Sequence, residues 1–174
     1  LVFAWVHAAP LFAAGSPADE QVASELNNQG VAAAQAGNWE AGVEYLRRAV
    51  KVNPEDALLR KNLSGVLTDW AIRLEQALDA ARAEALLLEA VTYDPDNGAA
   101  LVRLGDLAYF LRSDFSGAIA SWRRANGKLP PAEWHAVADR ISQAQRDALI
   151  ERDVVSHATE HFDIRFPRKA TVDL

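Results

Sequence analysis

The chain contains no cysteine among its 174 residues. Disulfides, cysteine-ligated zinc and thiol catalysis are therefore all removed, while the cytoplasm and an export route without covalent staples both stay open. A concentrated basic surface is also missing. The net charge is −6, and the cations that do cluster, Arg47, Arg48 and Lys51 or Arg123 and Arg124, are flanked by acids or apolar residues. Binding to phosphate backbones needs the opposite, so nucleic acid is not expected as a partner. Glycine-rich phosphate loops are absent, and Ser64, Ser113, Ser116 and Ser121 have no His-plus-acid set to activate them. His135 reads as a surface or rim residue. No catalytic residue, cofactor or metal ligand is expected in this chain. Glycine (nine) and proline (seven) are few, and they fall at spaced positions that read as punctuation.

What is abundant is alanine and leucine, within an apolar fraction of 50%. Alanine loses no side-chain entropy on entering a helix, so this composition predicts an all-α architecture. The length suits one ordinary domain with a sizeable core.

The opening residues read as an address. Leu1-Val2-Phe3-Ala4-Trp5-Val6 is apolar, and Ala13-Ala14-Gly15 offers the small residues of a cleavage site. Residues 1–15 are similar to the latter part of a secretory signal peptide, clipped of its Met and basic start, and are too short to span a bilayer. An exported, periplasmic protein is expected, with a cytoplasmic one as the alternative. No stable membrane insertion of the mature chain is expected.

From Ser16 the grammar is helical. Ser16, Pro17 and Asp19 form a start signal, with the cap, the proline at the first helical position and an acid three residues on. Val22, Leu26, Gly30 and Ala33 follow at helical spacing, and Gly37-Asn38 is a stop and a turn. A second helix carries Trp39, Val43, Leu46, Ala49 and Val50 and ends at Asn53-Pro54. A third carries Leu59, Leu63, Val66, Leu67, Trp70 and Leu74, and a fourth Ala83, Leu87, Ala90 and Val91, ending before Pro95. The fifth has Leu101, Leu104, Gly105 and Ala108; the sixth has Phe115, Ala118, Trp122 and Ala125. Trp39, Trp70, Trp122 and Trp134 all lie on apolar stripes, which predicts core packing.

Aligned on their terminal prolines, residues 23–56, 57–97 and 98–131 form three helix-pair segments. In the first, Gly30, Gly37-Asn38-Trp39, Ala49 and Pro54 stand in the order and spacing of the tetratricopeptide consensus. In the last, Gly105, Phe115, Ala118, Ala125 and Pro130 do so with about one extra residue at the turn. The region from Ala23 to Pro131 thus resembles tetratricopeptide repeats. That resemblance implies small residues where helices cross closely and large ones filling the grooves. The middle segment departs from the pattern by the difference between Ala57 and Ser64, about two helical turns. Its stripe keeps phase through Trp70, Leu74 and Leu78, which predicts a lengthened first helix. One unbroken helix from Glu55 to Tyr93 would leave Leu86, Leu87 and Leu88 without a partner, so a hairpin is preferred.

After Pro130-Pro131, Trp134, Val137, Ile141, Ala144 and Leu149 mark a capping helix running to about Asp153, charged on its other face. The pattern then switches. Phe162, Ile164 and Phe166 alternate, which is a strand signal, and no partner strand is legible upstream. The fold expected is therefore an α-solenoid of three hairpins plus a capping helix over residues 16–153. Residues 154–174 are expected to be a linker and a short β-strand from a truncated second domain. The run S-x-x-x-E-H-F-D-I-R-F-P, from Ser156 to Pro167, resembles the opening of gluzincin-type peptidase domains that follow such repeats. The H-E-x-x-H helix of that family is absent, so no catalytic residue carries over. His157-Ala158-Thr159-Glu160-His161 spells H-x-x-E-H, but zinc binding needs both histidines on one helix face, and here a strand begins.

The function expected is a protein–protein interaction scaffold, binding a peptide or protein along the first helix of each pair. The candidate groove residues are Asn27, Gln35, Lys61, Asn62, Asp69, Arg103, Asp106 and Tyr109. Val31, Gly65 and Ala99 stand where the carboxylate clamp of some tetratricopeptide domains wants Asn or Lys, so binding of chaperone tails is not expected. The alternatives are the substrate-positioning N-terminal region of an exported zinc metallopeptidase and a periplasmic assembly factor.

Overall fold

The computed structural model describes residues 16–152 together with the backbone of 154–158 and 163–167; the leader-like residues 1–15 lie outside the described part. Among the described residues seven helices run in order: α1 (Pro17–Gln35), α2 (Trp39–Val52), α3 (Ala57–Gln76), α4 (Ala80–Tyr93), α5 (Gly98–Arg112), α6 (Phe115–Arg124) and α7 (Pro131–Arg152). No strand interrupts them. The chain divides within α3, after Trp70, into a unit of residues 1–70 and a unit of residues 71–174.

In the first unit α1 packs along α2. The start signal forms as a reciprocal cap, with the Asp19 N–H donating to Ser16 Oγ (3.2 Å) and the Ser16 N–H donating to Asp19 Oδ2 (3.0 Å). The interface is built on small residues. A Cβ at Gly30 would lie 2.6 Å from Leu46 Cγ and 2.9 Å from the Gly42 carbonyl oxygen, so only glycine permits this approach. Leu26, Ala34, Val43, Leu46 and Ala49 are buried beside it. Val22, assigned to the stripe by its spacing, is instead 47% exposed; Ala23, one position on, takes the buried place.

In the second unit each helix packs on the next in sequence, α4 on α5, α5 on α6 and α6 on α7. Gly105 repeats the role of Gly30, since a Cβ there would come within 2.4 Å of the Trp122 ring. Trp122 is completely buried among Ala108, Ala118, Val137, Ile141 and Ala144. Trp39, Trp70 and Trp134 are only half-buried, so the expectation of core packing is met in full by Trp122 alone. An indole is large, so it is seldom fully buried even where most of its ring is covered.

The three hairpin turns share one device and differ in detail. Each first helix ends in a left-handed residue: Gly37 (φ 84°), Leu78 (φ 62°) and Ser113 (φ 53°). In the first two, the following N–H reaches back five residues, Asn38 to Ala33 O (2.9 Å) and Asp79 to Leu74 O (2.8 Å). In the third, the Asp114 N–H reaches Ala108 O, one residue further, which is the extra turn residue expected from the sequence. The middle first helix, α3, has 20 residues against 15 in α5, and the break at 77–79 settles the choice between hairpin and single helix. Leu78 does not continue the apolar stripe; it is the turn residue and 91% exposed.

Asp114 caps α6, its Oδ1 accepting from the Gly117 N–H (2.8 Å) and from Ser116 Oγ (3.0 Å). These bonds, the Gly117 one foremost, hold its carboxyl below the ordinary 3.8. A lowered folded value means the stabilisation is present above the unfolded value and is lost as pH falls through the folded one. Asp114→Ala should cost about 1 kcal/mol at neutral pH. In urea melts the gap to wild type should shrink as pH falls from the unfolded value and close below the folded one; a gap unchanged by acid would show that the charged cap contributes nothing.

The expected tail needs correction. The strand does not stand alone. Asp163–Pro167 pairs antiparallel with Val154–Ala158, in the register Val154 opposite Pro167 and His157 opposite Ile164. Residues 154–158, taken for linker, supply the partner strand that backbone hydrogen bonding requires. Phe162 lies outside the described residues.

Candidate functional site

The candidate residues fall into two groups, one in each unit. In the first, Asn27 on α1 and Asn62 on α3 join, with Asn62 Nδ2 donating to Asn27 Oδ1 at 2.9 Å. Beside Asn27 is a hollow of about 420 Å³ whose ionisable lining, Glu20, Glu55 and Asp56, is wholly acidic. Asp56 also holds the start of α3, its Oδ1 accepting from the Leu58 N–H at 2.7 Å. Gln35, Lys61 and Asp69 are exposed, the first on α1 and the other two on α3.

In the second unit, Arg103 and Asp106 lie one turn apart on α5 and form the shared rim of two hollows. Neither charge stands alone. Arg103 Nη1 pairs with Glu75 Oε2 at 3.3 Å. Asp106 receives Arg140 Nη1 on both oxygens, at 2.7 and 2.9 Å, and its Oδ1 also accepts from Trp122 Nε1 at 3.1 Å. The same indole N–H reaches Val102 O at 3.2 Å. Asp106 is therefore fixed from beneath by the core tryptophan and from the side by the capping helix. The other Glu75 oxygen, Oε1, is buried and has no hydrogen-bond partner. Burial pushes the Glu75 carboxyl up, Arg103 opposes that, and Asp106 adds to it.

The first hollow, about 280 Å³, lies between Ile72, Ala99, Val102 and Arg140. The second, about 330 Å³, is lined by Glu75, Leu78, Leu107, Phe110 and Leu111. Tyr109, read as a recognition aromatic, donates its hydroxyl to Asp147, and that bond raises its phenol above the ordinary value. Its ring centroid lies 5.6 Å from that of Trp122 and 4.8 Å, edge-on, from that of Phe110. Tyr109 thus braces α5 against α7 and carries Phe110 beside it.

Glu75, Leu78, Phe110 and Arg140 were not among the sequence candidates. Phe110 follows Asp106 by four residues and so shares its helix face, a spacing that could have been read; the contact from Glu75 could not. Among the described residues, no cluster of three His, Cys, Asp or Glu side chains could hold a metal ion, and no helix is long and apolar enough to cross a membrane. His157 of the H-x-x-E-H run lies on an extended strand, where residues four apart do not have the helical spacing that motif needs; Glu160 and His161 are outside the described residues.

Residues 27–67 and 68–133 match the sequence family described as Tetratricopeptide repeat. No curated protein matches the chain. Among solved structures, the Arabidopsis OM64 TPR domain is 20% identical with a TM-score of 0.48, covering 72% of this chain and 98% of its own. The Sgt2 TPR domain from Aspergillus fumigatus is 17% identical with a TM-score of 0.47, covering 89% and 95%. The first TPR of Spaghetti (RPAP3), bound to an HSP90 peptide, is 15% identical with a TM-score of 0.47, covering 75% and 95%. None of these three bears on the gluzincin-type resemblance of the tail.

Proposed function

The chain belongs to the tetratricopeptide repeat family, and on that premise we propose that it is a scaffold holding a polypeptide partner against the open faces of its first helices. One observation carries this reading: Arg103 and Asp106, braced by Glu75, Arg140 and Trp122, rim two adjoining hollows of side-chain size on α5. Ion pairs fixed this way hold a surface in shape before a partner arrives, which lowers the ordering cost of binding. In the first unit the pair Asn27 and Asn62, with exposed Gln35, Lys61 and Asp69, offers amide and charged groups suited to a peptide backbone. The leader-like residues 1–15 support an exported, periplasmic setting.

The test places a photo-crosslinking amino acid at Ala99, which lines the first α5 hollow, or at exposed Arg124 on α6, in intact host cells that are then fractionated. A discrete adduct from position 99 and none from 124 is expected. Equal labelling from both positions would remove the assigned face, and an adduct confined to the cytoplasmic fraction would remove the exported setting.

A further inference from the structure

We infer that Glu75 and Arg103 form an acid-released latch between α3 and α5. When Glu75 takes a proton, the Arg103 guanidinium lets go of α3, while the Asp106–Arg140 pair beside it stays closed. The latch goes beyond the peptide-binding reading and operates with no partner present.

The two ion pairs are built unequally. Asp106 uses both oxygens, accepting from Arg140 Nη1 at 2.7 and 2.9 Å and from the Trp122 indole at 3.1 Å. Glu75 holds Arg103 through one oxygen alone, Oε2, at 3.3 Å. Its other oxygen, Oε1, is buried and has no hydrogen-bond partner. A carboxylate taken out of water keeps its charge where donors supply both oxygens, and charged donors count for more than neutral ones. Asp106 meets that condition and Glu75 does not. A proton on Glu75 removes the charge for which donors are lacking.

The surrounding groups act in the same direction. Burial is the largest influence on Glu75 and disfavours its ionised form; from α5, Arg103 favours that form and Asp106 opposes it. Arg140, reaching in from α7, is taken up by Asp106. On α4, Arg82 pairs with Asp79 of the preceding turn at 3.7 Å, and Glu84 pairs with Arg112. Arg73, on the same helix as Glu75, is exposed. Glu75 therefore gains its proton above the ordinary 4.5.

The position gives the release a consequence. Glu75 lies in the last turn of α3, where its carbonyl accepts from the Leu78 N–H at 3.0 Å, so the latch ties the α3–α4 turn to α5. Arg103 lines both α5 hollows, and its side chain is 41% exposed. A released guanidinium has water to turn to, and both rims change together.

The test follows the isotope-labelled full chain by NMR from neutral pH downward, with circular dichroism verifying that the helices persist. It reads the Glu75 carboxyl carbon and the rotation of the Arg103 and Arg140 guanidinium groups. The Glu75 carbon should titrate above 4.5. Arg103 should lose its restricted rotation at that same midpoint, and Arg140 should keep its own. Arg103→Ala should raise the Glu75 midpoint further, since it removes the one charge that favours ionisation. Glu75→Gln should leave Arg103 rotating faster already at neutral pH, with Arg140 unchanged. A merely structural ion pair would hold Arg103 throughout the titration. A Glu75 midpoint at or below 4.5, an Arg103 held as firmly in Glu75→Gln as in wild type, or release of both arginines together would each overturn the latch. Peptide binding stands or falls separately, because no partner enters the measurement.

Discussion

Trp122→Ala should lower stability by about 3–5 kcal/mol, the range for removing a large aromatic from a packed core. Trp122 is fully buried, and its ring fills the space that Gly105 leaves by lacking a Cβ. Truncation would open a cavity bordered by Ala108, Ala118 and Ala144, side chains too short to collapse into it. The indole N–H also holds Asp106 Oδ1 and Val102 O, so the rim of the candidate site loses its support from beneath. Trp122→Phe keeps most of the volume and removes the donor, and its cost should fall in between. Because contacts in a repeat protein run between neighbours, amide exchange should quicken over α5, α6 and α7 while α1 and α2 keep their protection. A loss below about 1 kcal/mol in urea titration would mean that the core of the second unit does not rest on this residue.

The repeat body was legible because its grammar is local. Ser16-Pro17 and Gly37-Asn38 are read within a few residues, and the glycines at 30 and 105 mark close crossings because no other residue fits there. Leu78 was misread for a matching reason. The apolar stripe extrapolates through it, and neither glycine nor proline announces that the chain reverses; only the capping aspartate at 79 does, its Oδ1 accepting from the Arg82 N–H at 3.2 Å. The hairpin at the end was half-read. Period-two alternation exposed the second strand, whereas Val154-Val155 follows directly on a helix and was absorbed into a linker.

The candidate site shows where local reading stops. Arg103 and Asp106 could be placed on one helix face from spacing alone. Their partners Glu75 and Arg140 lie 28 residues before the one and 34 after the other, so the pairing depends on tertiary packing that no short window contains. By spacing alone the two charges are available to a ligand; in the fold both are already paired. Tyr109 follows the same logic, its hydroxyl being spent on Asp147. What the folded chain leaves exposed beside them is hydrocarbon, at Leu78, Phe110 and Leu111.

Gly30 and Gly65 should respond to substitution with opposite signs, although both are interior helical glycines. In a helix, alanine is favoured over glycine by about 0.5–1 kcal/mol through lower backbone entropy in the unfolded chain. At Gly65 nothing lies within 4 Å of an added Cβ, so Gly65→Ala should stabilise by about that amount. At Gly30 the same methyl meets Leu46 Cγ at 2.6 Å, Gly42 O at 2.9 Å and Leu46 N at 3.1 Å. Two of these three are backbone atoms of α2 and cannot turn aside as a side-chain tip can. The helices must move apart, and overpacking of that kind costs about 1–3 kcal/mol, so Gly30→Ala should be a net loss and Gly30→Val should approach about 3 kcal/mol. Denaturant melts of the two alanine variants provide the comparison, with propensity cancelling between them. If Gly30→Ala melts as high as Gly65→Ala, α1 and α2 do not approach as closely as their glycines allow, and the small-residue crossing on which the repeat is built is absent.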